Sequence, residues 1–144
     1  MRKYGLVSLL LIIMISSCKK SNTSLNPNID NTVNWVGTYN DSILGAPYVI
    51  NTVIVTKVSN TTVRMMLIVN NFGSFDTFST LKNVLLIPNN SATINENNAV
   101  SGDTATYHFS GNASLNQDTL TASGTGVNIH NHYDQQVFFF VGSK

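Results

Sequence analysis

The sequence predicts an all-β domain behind a short export signal: an eight-stranded antiparallel up-and-down barrel, with a β-sandwich of the same strands as the alternative. Three observations predict it. From residue 33 onward, β-branched and aromatic runs of strand length alternate with clusters of Asn, Gly, Ser and Asp. No stretch sustains a helical period. Setting aside a 17-residue signal leaves 144 − 17 = 127 residues, the size of one domain. The expected organisation is a cleaved signal at 1–17, a flexible tether at 18–32 and the barrel at 33–144. Closure is preferred to a sandwich because it removes exposed sheet edges.

Arg2 and Lys3 precede an almost wholly apolar run from Gly5 to Ile15, and Ser16-Ser17 supply the small residues of a cleavage site. That run is shorter than the roughly 20 residues a membrane-spanning helix needs. Ile15-Ser16-Ser17-Cys18 resembles the lipobox of bacterial lipoprotein precursors. The resemblance implies cleavage before Cys18, a diacylglyceryl group on its thiol and an acylated amine, and hence a lipid-anchored protein of the bacterial cell envelope. Each buried acyl methylene contributes about 0.8 kcal/mol, so several chains hold a soluble domain on a membrane. No acidic cluster follows Cys18, since Lys19-Lys20-Ser21-Asn22 comes next, which favours an outer-membrane anchor facing the periplasm. Cys18 is the sole cysteine, so its acylation leaves no thiol for a disulfide, metal or nucleophile. Residues 19–32 are turn and coil formers without apolar periodicity.

The expected strands are Asn34–Asn40, Val49–Val58, Val63–Asn70, Thr80–Ile87, Ala92–Asn95, Ala105–Ala113, Leu120–Ile129 and Gln135–Val141. Turn signals stand at Asp41-Ser42, Ser59-Asn60, Pro88-Asn89-Asn90, Ser101-Gly102-Asp103 and Asn116-Gln117-Asp118. Period two puts Val63, Met65 and Leu67 on one face of the third strand, and Tyr107 and Phe109 on one face of the sixth. The expected interior adds Trp35, Tyr39, Val53, Val55, Val137, Phe139 and Val141, leaving Phe138 and Phe140 outside. Ala122, Gly124 and Gly126 put small residues at alternate positions, which lets a neighbouring side chain cross the strand.

Trp35-Val36-Gly37-Thr38-Tyr39 resembles the opening strand of lipocalin and calycin-like domains, and the segments Asn70–Phe75 and Leu81–Ile87 resemble the middle of small calycin-like bacterial lipoproteins. The resemblance implies that Trp35 and Gly37 close a barrel floor. It also implies a small apolar ligand held between Trp35, Tyr107, Phe109 and Phe139. The chain departs from lipocalins in lacking a central Thr-Asp-Tyr and a late Arg; its only Arg after the signal is Arg64. A second reading stands beside the binding module: the same residues fill a dry core, and the outer surface docks an envelope partner or glycan. An eight-stranded barrel is near the size at which side chains fill the inside or leave room for one ligand.

Charged residues are 10% of the chain, and beyond the signal six Lys and Arg face seven Asp and Glu. Nucleic acid is excluded as a partner by that balance. His130, His132 and Asp134 alternate along an extended segment, a spacing compatible with zinc or copper; the competing reading is a solvated turn. His108 falls on the polar face of its strand. No serine sits in a Gly-x-Ser-x-Gly elbow, the acids are scattered, and no glycine-rich loop precedes a helix. The sequence therefore points to a non-enzymatic protein without a cofactor.

Overall fold

The computed structural model describes residues 24–41, 50–71 and 74–144. Cys18 and the signal lie outside the described residues. Eight antiparallel strands close into a barrel in sequence order: β1 (Gly37–Asp41), β2 (Ile50–Ser59), β3 (Thr62–Asn71), β4 (Ser74–Ile87), β5 (Ser91–Ala99), β6 (Thr106–Asn116), β7 (Thr119–Asn128) and β8 (Gln135–Ser143). There is no helix among the described residues. The up-and-down barrel is thus the fold, and closure falls on Asn40↔Ser143 and Asp41↔Gly142, where β1 meets β8.

Two turns have a left-handed backbone at residues other than glycine: Asn89 and Asn90 (φ 65° and 51°) between β4 and β5, and Gln117 (φ 54°) between β6 and β7. β4 has two bulges, one at Phe78 and one at Lys82-Asn83; the second shifts the inward set from Ser79 and Leu81 to Val84 and Leu86, leaving Lys82 and Asn83 both outside. β5 runs to Ala99, longer than its apolar pattern suggests, because its ladder with β6 continues through Asn98↔Tyr107 and Ala99↔Thr106.

The floor of the barrel is closed by residues that were expected in a free tether. Leu25 packs on the core, Asn31 N–H donates to the Asn60 carbonyl at 2.9 Å, and Asn60 Nδ2 donates to the Pro27 carbonyl at 2.9 Å. Asp30 accepts from Thr32 and pairs with Lys57 at 2.6 Å, and these contacts lower its carboxyl to about 2, the Lys57 hydrogen bond most of all. Behind them Trp35 is buried, and the buried Tyr39 donates its hydroxyl to the Trp35 carbonyl at 2.8 Å. Lys144 lies 5.2 Å from the Tyr39 ring centroid and reaches the Asn34 carbonyl. Gly37 has φ 154°, and a Cβ there would stand 2.7 Å from the Lys144 stem.

The expected facing of β8 is corrected. Phe138 and Phe140 point into the core, whereas Val137, Phe139 and Val141 point out, with Phe139 62% exposed. Cross-strand partners share a face, so β7 decides the matter. Phe138 opposes Gly124 and Phe140 opposes Ala122, while Phe139 opposes Ser123. Turning Phe139 inward would carry Thr121, Ser123 and Thr125 inward with it, burying three hydroxyls and exposing Leu120 and Ala122. Phe138→Ala and Phe140→Ala are therefore expected to cost about 3–5 kcal/mol each, and Phe139→Ala less than about 0.5 kcal/mol, read from urea unfolding midpoints.

Candidate functional site

The aromatic set expected to line a ligand cavity does not come together as one. Trp35 lies at the floor, Tyr107 and Phe109 are fully buried higher in the core, and Phe139 stands on the outer wall. Tyr107 and Phe109 have ring centroids 6.4 Å apart, and Phe109 lies 6.1 Å from Phe138. Glycines hold these rings in place from the next strand. A Cβ on Gly126 would meet Phe109 at 2.7 Å, and one on Gly124 would meet Phe138 at 2.7 Å. At such distances the rings rest on the backbone of β7, so this part of the interior is filled by phenyl.

The best-organised polar group is at the opposite end from the floor. Tyr107 has a buried ring, but its hydroxyl reaches the rim and stands 2.6 Å from Asp103 Oδ2 in the β5–β6 loop and 2.7 Å from Asp134 Oδ2 in the β7–β8 loop. A phenol has one proton, so two carboxylates share a single donor. Other donors complete the shells: Asn128 Nδ2 donates to Asp134 Oδ2 at 2.9 Å, and Ala105 N–H to Asp103 Oδ1 at 2.8 Å. Asp134 is held below the usual carboxylate range, by Asn128 first and then Tyr107. Asp103 is held below it chiefly by Tyr107. The two carboxylates in turn push the Tyr107 phenol well above its ordinary value, Asp103 contributing most. Near neutral pH the acids are ionised and the phenol protonated, which makes a latch between two loops rather than a proton shuttle.

His130 and His132 are exposed in the β7–β8 loop, while Asp134 turns back to Tyr107 and Asn128. Among the described residues no group of three or more His, Cys, Asp or Glu is placed to hold a metal ion. The alternation read from the sequence fails because the segment is a turn, not a strand: Asp134 N–H donates to the Asn131 carbonyl at 3.0 Å. His108 is exposed on β6 with Nδ1 2.8 Å from Asn97 Oδ1.

A second polar feature went unread in the sequence. β4 and β5 pair only at Leu85–Ile87 with Ser91–Thr93, then part until the single bridge Ser79↔Val100. Asn83 N–H donates to Glu96 Oε1 across the gap at 3.0 Å, and Ser79 Oγ donates to the Ala99 carbonyl at 3.0 Å. Asn98 faces inward beside Tyr107, is 4% exposed, and has neither side-chain polar atom hydrogen-bonded. A cleft of about 280 Å³ opens along this seam, bordered by Phe78, Ser79, Lys82 and Asn98. Following period two from Ala92 and Ile94 to Asn98 would have put this amide inside; stopping the strand at Asn95 hid it.

Compared with known proteins, the chain matches no family model, no curated protein and no solved structure.

Two outcomes test this end of the barrel. The depressed carboxyls of Asp103 and Asp134 contribute stability that is present above their ordinary pKa near 3.8 and lost as pH falls through the lower folded values. The raised phenols of Tyr107 and of Tyr39, the latter pushed to about 12 by burial and then by Asp118, contribute stability that is lost as pH rises above 10. Tyr107→Phe should therefore begin acid unfolding at a higher pH than the parent and show a shallower alkaline decline, by circular dichroism across pH. Asn98→Leu, which removes an unsatisfied buried amide at similar volume, should raise unfolding free energy by about 1–3 kcal/mol.

Proposed function

We propose that this chain is a lipid-anchored envelope lipoprotein whose barrel is a packed, non-catalytic scaffold, presenting its outer surface and rim loops to an envelope partner or glycan. The observation that carries the scaffold reading over the carrier reading is the Tyr107–Phe109–Phe138 stack seated against Gly124 and Gly126. Three of the four residues proposed to hold an apolar molecule are spent on packing, and the fourth is outside. The ionisation states at the Asp103–Tyr107–Asp134 latch support a non-enzymatic role, since none of these groups titrates near neutrality. The outer wall supports interaction through hydrogen bonding rather than charge. β6 and β7 turn His108, Ser110, Asn112, Ser114, Thr121, Ser123 and Thr125 outward, and a shallow cleft of about 290 Å³ runs over part of them. The anchor rests on the lipobox-like Ile15-Ser16-Ser17-Cys18.

Fluorescent fatty-acid titration of the purified domain tests the core. The parent should show no saturable binding. Phe109→Ala should lose about 3–5 kcal/mol of stability and open a cavity that takes up small apolar probes. Saturable, stoichiometric binding by the parent would replace the scaffold reading with the carrier reading. Intact-mass analysis, with fractionation of a Cys18→Ala variant, tests the anchor: the parent should have the mass of a chain acylated at Cys18, and the variant should leave the membrane fraction.

A further inference from the structure

Six large apolar side chains remain between 38% and 68% exposed at the floor end of the barrel: Ile29, Val33, Val36, Val58, Leu85 and Ile87. Their placement follows from the floor contacts. Ile29 lies in the segment tied to Asn60 of the β2–β3 turn, and Val33 shares a cleft with Asn90 and Asp118 of the β4–β5 and β6–β7 turns. Val36 immediately precedes β1, while Val58, Leu85 and Ile87 are in the last residues of β2 and β4 as these strands reach the floor. Lys57, paired with Asp30, and Lys144, which shares a cleft with Asp118, stand among them. The opposite end also has carboxylates, those of Asp103 and Asp134.

The chain enters the described structure at this same floor, where Leu25 is docked on the core. Six residues lie between Cys18 and Leu25, and the seven chain steps from one to the other span at most about 25 Å. The rim loops stand a further strand length away, about 30 Å along the ten residues of β7 and less along the axis of a barrel whose strands tilt. The floor is therefore the end of the barrel tethered next to an acyl group on Cys18. Exposed apolar residues on a face whose charges are already paired suit the boundary between headgroups and acyl chains, where apolar side chains bury.

We infer that the floor of this barrel is a membrane-contact surface, seated on a phospholipid bilayer by Ile29, Val33, Val36, Val58, Leu85 and Ile87, with the Asp103–Asp134 rim directed away from it. This inference rests on the acylation of Cys18. It gives the domain a fixed orientation, with the rim loops as the face offered to partners, where a tether alone would let it tumble.

The test uses the full acylated protein, whose Cys18 is blocked, with a thiol-reactive fluorophore placed in turn at Val33→Cys, Leu85→Cys and Tyr133→Cys. All three positions are exposed, so the label does not disturb the core. Each protein is bound to vesicles of phosphatidylethanolamine and phosphatidylglycerol containing a nitroxide-labelled lipid. Quenching of at least about twofold at positions 33 and 85, with little at 133, is the expected result, given interfacial burial of several ångströms. Acylated, vesicle-bound protein without quenching at 33 and 85 overturns the inference, including the case in which energy transfer between labels shows two copies covering the floor. Equal quenching at all three positions, or quenching confined to 133, overturns it as well. Intact mass on the same samples reads the anchor separately: a chain without acyl groups on Cys18 refutes the anchoring, and the orientation falls with it.

Discussion

Large rings facing small residues across β6, β7 and β8 set the rest of this structure. Phe109 opposes Gly126, Phe138 opposes Gly124 and Phe140 opposes Ala122. Where the rings are not needed, small meets small, as in Gly111↔Gly124 and Ala113↔Ala122. The approach is close enough that a Cβ on Gly111 would meet the backbone of Ser123 and Gly124. A closed sheet of eight strands has a narrow interior, and three phenyl rings enter it only where the facing wall is bare backbone. One arrangement thus fixes the register of three strands, the facing of β8 and the absence of room along this wall.

The two ends of the barrel are closed by different chemistry. At the floor, a buried Trp35 and Tyr39 are covered by residues 25–36, and the ion pair of Asp30 with Lys57 ties that segment to β2. At the rim, Tyr107 joins the β5–β6 and β7–β8 loops through two carboxylates. Both tyrosines have a ring in the core and a hydroxyl among polar groups, the arrangement that lets a buried aromatic satisfy its one donor. The floor depends on a lysine–carboxylate pair and the rim on a phenol–carboxylate pair, so acid, which protonates the carboxylates, weakens both. Between the ends, the parted β4–β5 seam with its unsatisfied Asn98 is the part of the wall least committed to the fold.

Most of the fold was legible because period two and turn chemistry act locally. Val63, Met65 and Leu67 on β3, or Tyr107 and Phe109 on β6, need only their own strand to be read correctly. β8 was misread because its own sequence is nearly neutral between faces: Val137-Phe138-Phe139-Phe140-Val141 is apolar on both. The deciding information sits in β7, whose alternation of Ala122, Gly124 and Gly126 with Thr121, Ser123 and Thr125 is unambiguous. The folding of residues 25–32 was illegible for another reason. Its anchors are single residues, Leu25, Asp30 and Asn31, whose partners lie about thirty residues on or in the core, and no local period marks such contacts. The rim latch left a trace in hindsight, since an inward Tyr107 at a strand end requires a hydroxyl partner and Asp103 is the acid of the adjoining turn.

The low charge of this chain shows in the outer wall of the barrel. That wall is built from Asn, Ser and Thr, which together fill 50 of the 144 positions. Uncharged hydroxyls and amides offer donors and acceptors at fixed spacing along a rigid sheet without long-range attraction, so recognition by such a surface depends on shape and hydrogen-bond match and responds weakly to salt. Phe139 and Val137 are the exception, an apolar pair left outside because β7 claims the other face of β8 for the core. Their exposure is therefore a consequence of how the interior is filled, and it places the largest apolar contact on the outer wall beside the hydroxyls of Ser123 and Thr125.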